Sequence, residues 1–133
     1  MKFSARKSYQ FYPDVNGNLD LPESERLSVE IIRPTAEMRG EVSYLEITAS
    51  AGISDSIIKY RFNAKNILNL CVGEIKNLEV EDPGQSGKTR LIKNGKELAK
   101  ESFYGMNSLV DAICTEVCAD IVTDTQKKIS KSD

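Results

Sequence analysis

Eight apolar residues near the C-terminus, Met106, Leu109, Val110, Ile113, Cys114, Val117, Cys118 and Ile121, recur at steps of three and four. On a helix they line up as one stripe, with Asp111, Thr115 and Asp120 mainly towards the other side. The spacing predicts an amphipathic helix from about Met106 to Val122. Such a stripe has to be covered, either by the rest of this chain or by a second protein. Leu109, Ile113, Val117 and Ile121 are therefore the candidate partner-binding residues, with the domain's own core as the alternative use.

The rest of the chain supplies short extended segments and turns. Lys7 to Tyr12 is rich in aromatics and stops at Pro13, and Val15-Asn16-Gly17-Asn18 makes a turn. Leu27 to Arg33 alternates apolar and polar residues before Pro34, as a half-buried strand does. Thr35 is placed to cap a helix in which Met38, Val42 and Leu45 share a face. Ser43 to Ala49 also alternates well enough for a strand, and the helix is preferred here. Residues 50–56 read as a mobile loop, and Ile58, Tyr60 and Phe62 as a strand. Asn63 caps a predicted helix carrying Ala64, Ile67, Leu68, Cys71, Ile75 and Leu78. Leu78 to Glu81 and Thr89 to Lys93 flank a Pro/Gly loop and read as a hairpin. Asn94-Gly95 then turns the chain into a short helix around Lys96 to Glu101.

The expected fold is one α+β domain over residues 1–133. It has a small antiparallel sheet with hairpins, packed by two to four helices that include the C-terminal amphipathic one. Residues 127–133 are expected as a loose, solvated tail, with Lys127, Lys128 and Lys131 in water. A chain of 133 residues is enough for one ordinary core.

Several function classes fit the composition poorly. Net charge is −2 with both signs interspersed, whereas a nucleic-acid binder needs a basic stripe to neutralise phosphates. Aromatics make up 7 % and are not interleaved with basic residues, so no base-stacking platform is indicated. No window approaches the about 18 apolar residues of a membrane span, and no apolar run follows the first residues as in a signal peptide. A cytoplasmic protein is the expectation, and three cysteines, an odd number, suit a reducing compartment.

Candidate chemistry is sparse. Asp82 to Thr89 ends in Gly87-Lys88-Thr89 and comes within one residue of a phosphate-binding P-loop. Asp82 stands where the first glycine is needed, and the β-prone stretch after Thr89 leaves no long helix to face an anion. A Gly-rich hairpin loop is the better reading, and nucleotide binding by residues 82–89 is the rival. Cys114 and Cys118 lie one helical turn apart and Cys71 is a third sulfur, yet structural zinc usually takes four Cys or His ligands and the chain has no histidine. Without histidine the Ser-His-Asp and Cys-His arrangements are also missing. Asp20, Glu23 and Glu25 read as solvated surface. Glu79, Glu81 and Asp82 lack the ligand spacing of a calcium loop and read as the outer face of a strand. No catalytic residue, cofactor site or metal site is assigned.

Three stretches resemble tail-assembly chaperones of long-tailed bacteriophages and prophages. The first runs from Leu21-Pro22 through Glu23 and Glu25 to Val29-Glu30-Ile31 and Arg33-Pro34-Thr35. The second, Val72 to Val80, is similar to a helix of that family that runs into an Asn-Leu strand, here Asn77-Leu78. The third is Ile92-Lys93-Asn94-Gly95-Lys96-Glu97-Leu98 followed by the closing helix from Leu109 to Val117. The three are spread along the chain in the family's order. The resemblance implies a non-enzymatic protein that coats the long helical tape-measure protein before the tail tube forms. Its implied partners are that protein and tail-tube subunits, with self-association left open and neither nucleic acid nor membrane involved. A tail-completion or connector subunit retained in the virion is the alternative within the same setting.

Overall fold

Val29 and Ile31 point to one side of a strand and are essentially inaccessible to water. That strand, β2 (Ser28–Ile32), is the middle of a three-stranded antiparallel sheet between β1 (Ser8–Phe11) and β5 (Val72–Lys76). The structure is a computed structural model and describes residues 1–2, 7–49, 56–81, 84 and 87–131, side chains excepted at 45–49, 56–60, 104 and 120–131. Two further hairpins complete the strands. One pairs β3 (Ser43–Ala49) with β4 (Ser56–Phe62), and the other pairs β6 (Glu79–Glu81) with β7 (Thr89–Leu91). The helices are α1 (Arg39–Val42), α2 (Ala64–Leu70), α3 (Gly95–Glu101) and α4 (Asn107–Lys131). The α+β class expected from the sequence is the class observed.

Local chemistry explains most boundaries. The Asn63 side chain accepts a hydrogen bond from the Asn66 amide (3.2 Å), and Asn94 accepts one from Glu97 (2.9 Å), each satisfying an amide at a helix start. In return Glu97 accepts from the Lys93 amide at 2.8 Å, so the second cap is nearly reciprocal. The β5 to β6 connection turns at Asn77, whose φ of 63° lies in the left-handed region that asparagine tolerates. Its amide group donates to the carbonyls of Ser24 and Arg26.

Three expectations need correction. The helix predicted from Thr35 through Leu45 is a single turn, α1, entered at Met38 without a side-chain cap, and Leu45 lies in β3. Backbone pairing decides this: Ser43 to Ala49 finds a seven-residue partner in β4, from Ser43 opposite Phe62 to Ala49 opposite Ser56. The helix predicted to continue through Ile75 and Leu78 ends at Leu70. Val72 to Lys76 is strand β5, because β2 offers an edge to pair with, Val29 opposite Ile75 and Ile31 opposite Val72. The closing helix runs past residue 122 as far as Lys131, so the stretch expected as a loose tail is helical up to that point, and residues 132–133 lie outside the described ones. Residues 50–55 of the expected mobile loop also lie outside the described residues, while Ser56 opens β4.

One core collects apolar side chains from every layer. Val29, Ile31, Val72 and Ile75 come from the sheet, Ile67 and Leu68 from α2, Leu98 from α3, and Ile113, Cys114 and Val117 from α4. Burying a side chain of this size stabilises by about 1.5–3 kcal/mol. The half-exposed ion pair between Arg90 and Glu101 contributes below about 1 kcal/mol. Packing, not charge pairing, therefore holds the fold. Tyr9 of β1 ties sheet to helix by donating a 2.8 Å hydrogen bond to Glu116. Among the described residues no helix is long and apolar enough to cross a membrane.

A junction closed by backbone lies at Gly95, where α3 starts against the end of α2. A Cβ there would run into the carbonyl oxygens of Leu68 and Val72, both fixed by backbone. Gly95→Ala is expected to destabilise the fold by about 2 kcal/mol or more, as overpacking does, measured by urea unfolding. Gly40 has no atom within 4 Å of such a Cβ. Gly40→Ala should leave the midpoint unchanged or raise it slightly.

Candidate functional site

The segment from Pro13 to Leu27 contains few apolar residues and no long element, so it needs polar fastening to hold a shape. Asn18 provides it. Buried at 4 % exposure, its side chain donates to the carbonyls of Pro13 (2.9 Å) and Leu27 (3.0 Å) and accepts from the Leu27 amide (2.7 Å). Arg26 fastens the same segment from outside, donating to the carbonyls of Leu21 (2.8 Å) and Leu19 (3.1 Å), with its guanidinium 5.8 Å from the Tyr12 ring centre. The stretch around Leu21 is thereby fixed while its side chain stays in water.

This segment forms one wall of an open groove of about 320 Å³. Val15 and Leu21 stand on that wall, Leu27 in the floor. Leu78 and Val80 of the β6 hairpin form a second wall, and Phe103, Met106 and Leu109, at the entry to α4, the third. Leu21 is 41 % exposed and Phe103 59 %, both large for apolar side chains. A shallower depression continues the groove past Leu21 and Leu78 to Ser24, Glu25 and Asn77. The rim is acidic. Glu79 and Glu81 border the groove and Glu25 its continuation, and among the described residues no lysine or arginine lines either part. Among the described residues none of these three carboxylates makes an ion pair. An apolar trough with a one-signed rim can bind an apolar chain segment and select it by charge.

The residues singled out on the closing helix divide. Leu109, Ile113 and Val117 are buried in the domain's own core, so of the two uses open to them the structure shows the internal one. Only Leu109 also reaches the groove. Ile121 lies in α4, outside the residues whose side chains are described. The groove residues Leu21 and Phe103 belong to no periodic apolar set, Leu21 standing near Leu19 and Pro22 and Phe103 beside Tyr104. Asp20, Glu23 and Glu25 are exposed, as expected.

The P-loop-like stretch leads into a strand. Thr89 opens β7 opposite Glu81, so the residues after Gly87-Lys88 form the return arm of a hairpin and present no helix end to an anion. Residues 82, 83, 85 and 86 lie outside the described ones. The three cysteines are buried and unbridged. Burial pushes the thiols of Cys71 and Cys118 up to about 11 and that of Cys114 up to about 12, where Cys118, Asp111 and Cys71 add to the effect. Among the described residues no group of three His, Cys, Asp or Glu is placed to hold a metal ion.

Two outcomes are expected. Asn18→Ala strips partners from three backbone groups and should cost about 2–3 kcal/mol in chemical denaturation, as buried unpaired polar groups do. The raised thiols favour the folded chain fully below their ordinary value of 9.0, and that contribution is lost as pH climbs through their folded values. Unfolding free energy should therefore fall between about pH 9 and pH 11–12, followed by urea titration across that range. Comparison of the chain with protein-family models, with curated proteins and with solved structures finds no match.

Proposed function

We propose that this chain is a tail-assembly chaperone of a long-tailed bacteriophage or prophage. In this reading it performs no catalysis. It binds the tape-measure protein in the host cytoplasm, keeps it soluble and helps to bring tail-tube subunits to it.

The observation that carries the reading is where the three family-like stretches lie. They are far apart in sequence, yet each contributes to the same groove: Leu21 and Leu27 from the first, Leu78 and Val80 from the second, Leu109 from the third. They are also bonded to one another. Strand β2 of the first pairs with β5 of the second, and the Ile75 amide donates to the Lys93 carbonyl at 2.8 Å beside a bridge between Glu74 and Asn94. The second stretch, likened to a helix, begins here as strand β5, and a few residues of each of the three stretches meet at one open groove suited to an apolar segment. A tape-measure protein exposes long apolar helical seams, which an open groove can cover in the helix-in-groove manner. One such contact is weak, but many copies along one long chain act together.

Co-expression with the tape-measure gene of the same phage should convert that protein from aggregated to soluble and co-purifying. Mass spectrometry of purified virions should then find this chain absent. Its presence in mature particles at a fixed copy number would replace the chaperone reading with that of a structural subunit.

A further inference from the structure

We infer that the groove between the Leu21 segment, β6 and the entry to α4 is a docking site for an amphipathic helix whose apolar face is bordered by lysine or arginine. The inference rests on the chaperone reading for its setting and adds the site and the charge of the bound segment. The apolar part follows from the lining. Leu21 and Phe103 contribute exposed apolar side chains to it, and Leu78 and Val80 contribute half-buried ones. The charge follows from the rim. Glu25, Glu79 and Glu81 have no cationic partner among the described residues, and two nearby guanidinium groups are engaged elsewhere: Arg26 with two carbonyls, Arg90 with Glu101. An acidic or neutral helix would leave these carboxylates crowded together in a drier setting, whereas a basic border compensates them. The fastening by Asn18 and Arg26 keeps the exposed apolar wall from folding inward, so the groove stays available to a second chain.

The test uses the full chain and two labelled helical peptides of about 20 residues with the same leucine stripe, one bordered by lysines and one by glutamates. Fluorescence anisotropy should give at least about tenfold tighter binding of the lysine peptide, a gap that narrows with added salt as exposed charges are screened. Amide shifts should change at Leu21, Leu78 to Glu81 and Phe103 to Leu109. The double variant Glu79→Lys/Glu81→Lys, at exposed strand positions, should reverse the preference while circular dichroism shows an intact fold. Phe103→Ser should weaken both peptides. Equal binding of the two peptides, no binding of either, or shifts confined to another face would overturn the inference. A chain that solubilises the tape-measure protein but ignores peptide charge would sink this inference alone. Charge-selective binding in the groove without that solubilisation would uphold it and sink the chaperone reading.

Discussion

The fold depends on β2 being paired along both edges. Its two inward residues, Val29 and Ile31, are core, and its backbone is committed to β1 on one side and β5 on the other. The ladder is extended at both neighbours, by the Arg33 amide to the Lys7 carbonyl and by the Ile32 amide to the Cys71 carbonyl, both at 2.8 Å. Because β5 follows α2 and precedes β6, this second edge determines where both must lie. The helix has to finish at Leu70, and the hairpin has to begin beside the segment that Asn18 ties to the start of β2. The groove is a consequence of that ordering.

The same strand pair explains the largest misreading of the sequence. Three residues of β2, from Val29 to Ile31, face four of β5, from Ile75 back to Val72, so the register slips by one. A bulge of this kind places successive buried residues three apart rather than two. Val72 and Ile75 consequently continue the helical spacing begun by Ile67, Leu68 and Cys71, and periodicity alone cannot separate the two structures. A comparable ambiguity ran through Met38, Val42 and Leu45. There the outcome depended on whether β4 existed as a partner, which is a fact about another part of the chain.

Elements set by their own local chemistry were legible. The asparagine cap of α2, the Asn94-Gly95 turn into α3, the alternation in β2, the Gly-rich hairpin and the stripe of α4 each announce themselves within a few residues. The site was far less so. Leu109, Ile113 and Val117 form the strongest periodic apolar set, and regular spacing is the mark of a face committed to internal packing. Leu21 and Phe103 face solvent because Asn18, Arg26 and the α4 entry hold their backbones there, and no spacing rule reports that. Leu109 belongs to both sets, at the first turn of the helix where core gives way to groove.

Asn18 has a consequence for the kinetics of recognition. Its three hydrogen bonds set the shape of one wall before any ligand arrives, so a visiting segment need not order this loop as it binds. Pre-organisation of this kind lowers the entropic penalty of encounter. With only a shallow, open trough to leave, the same visitor can also depart readily.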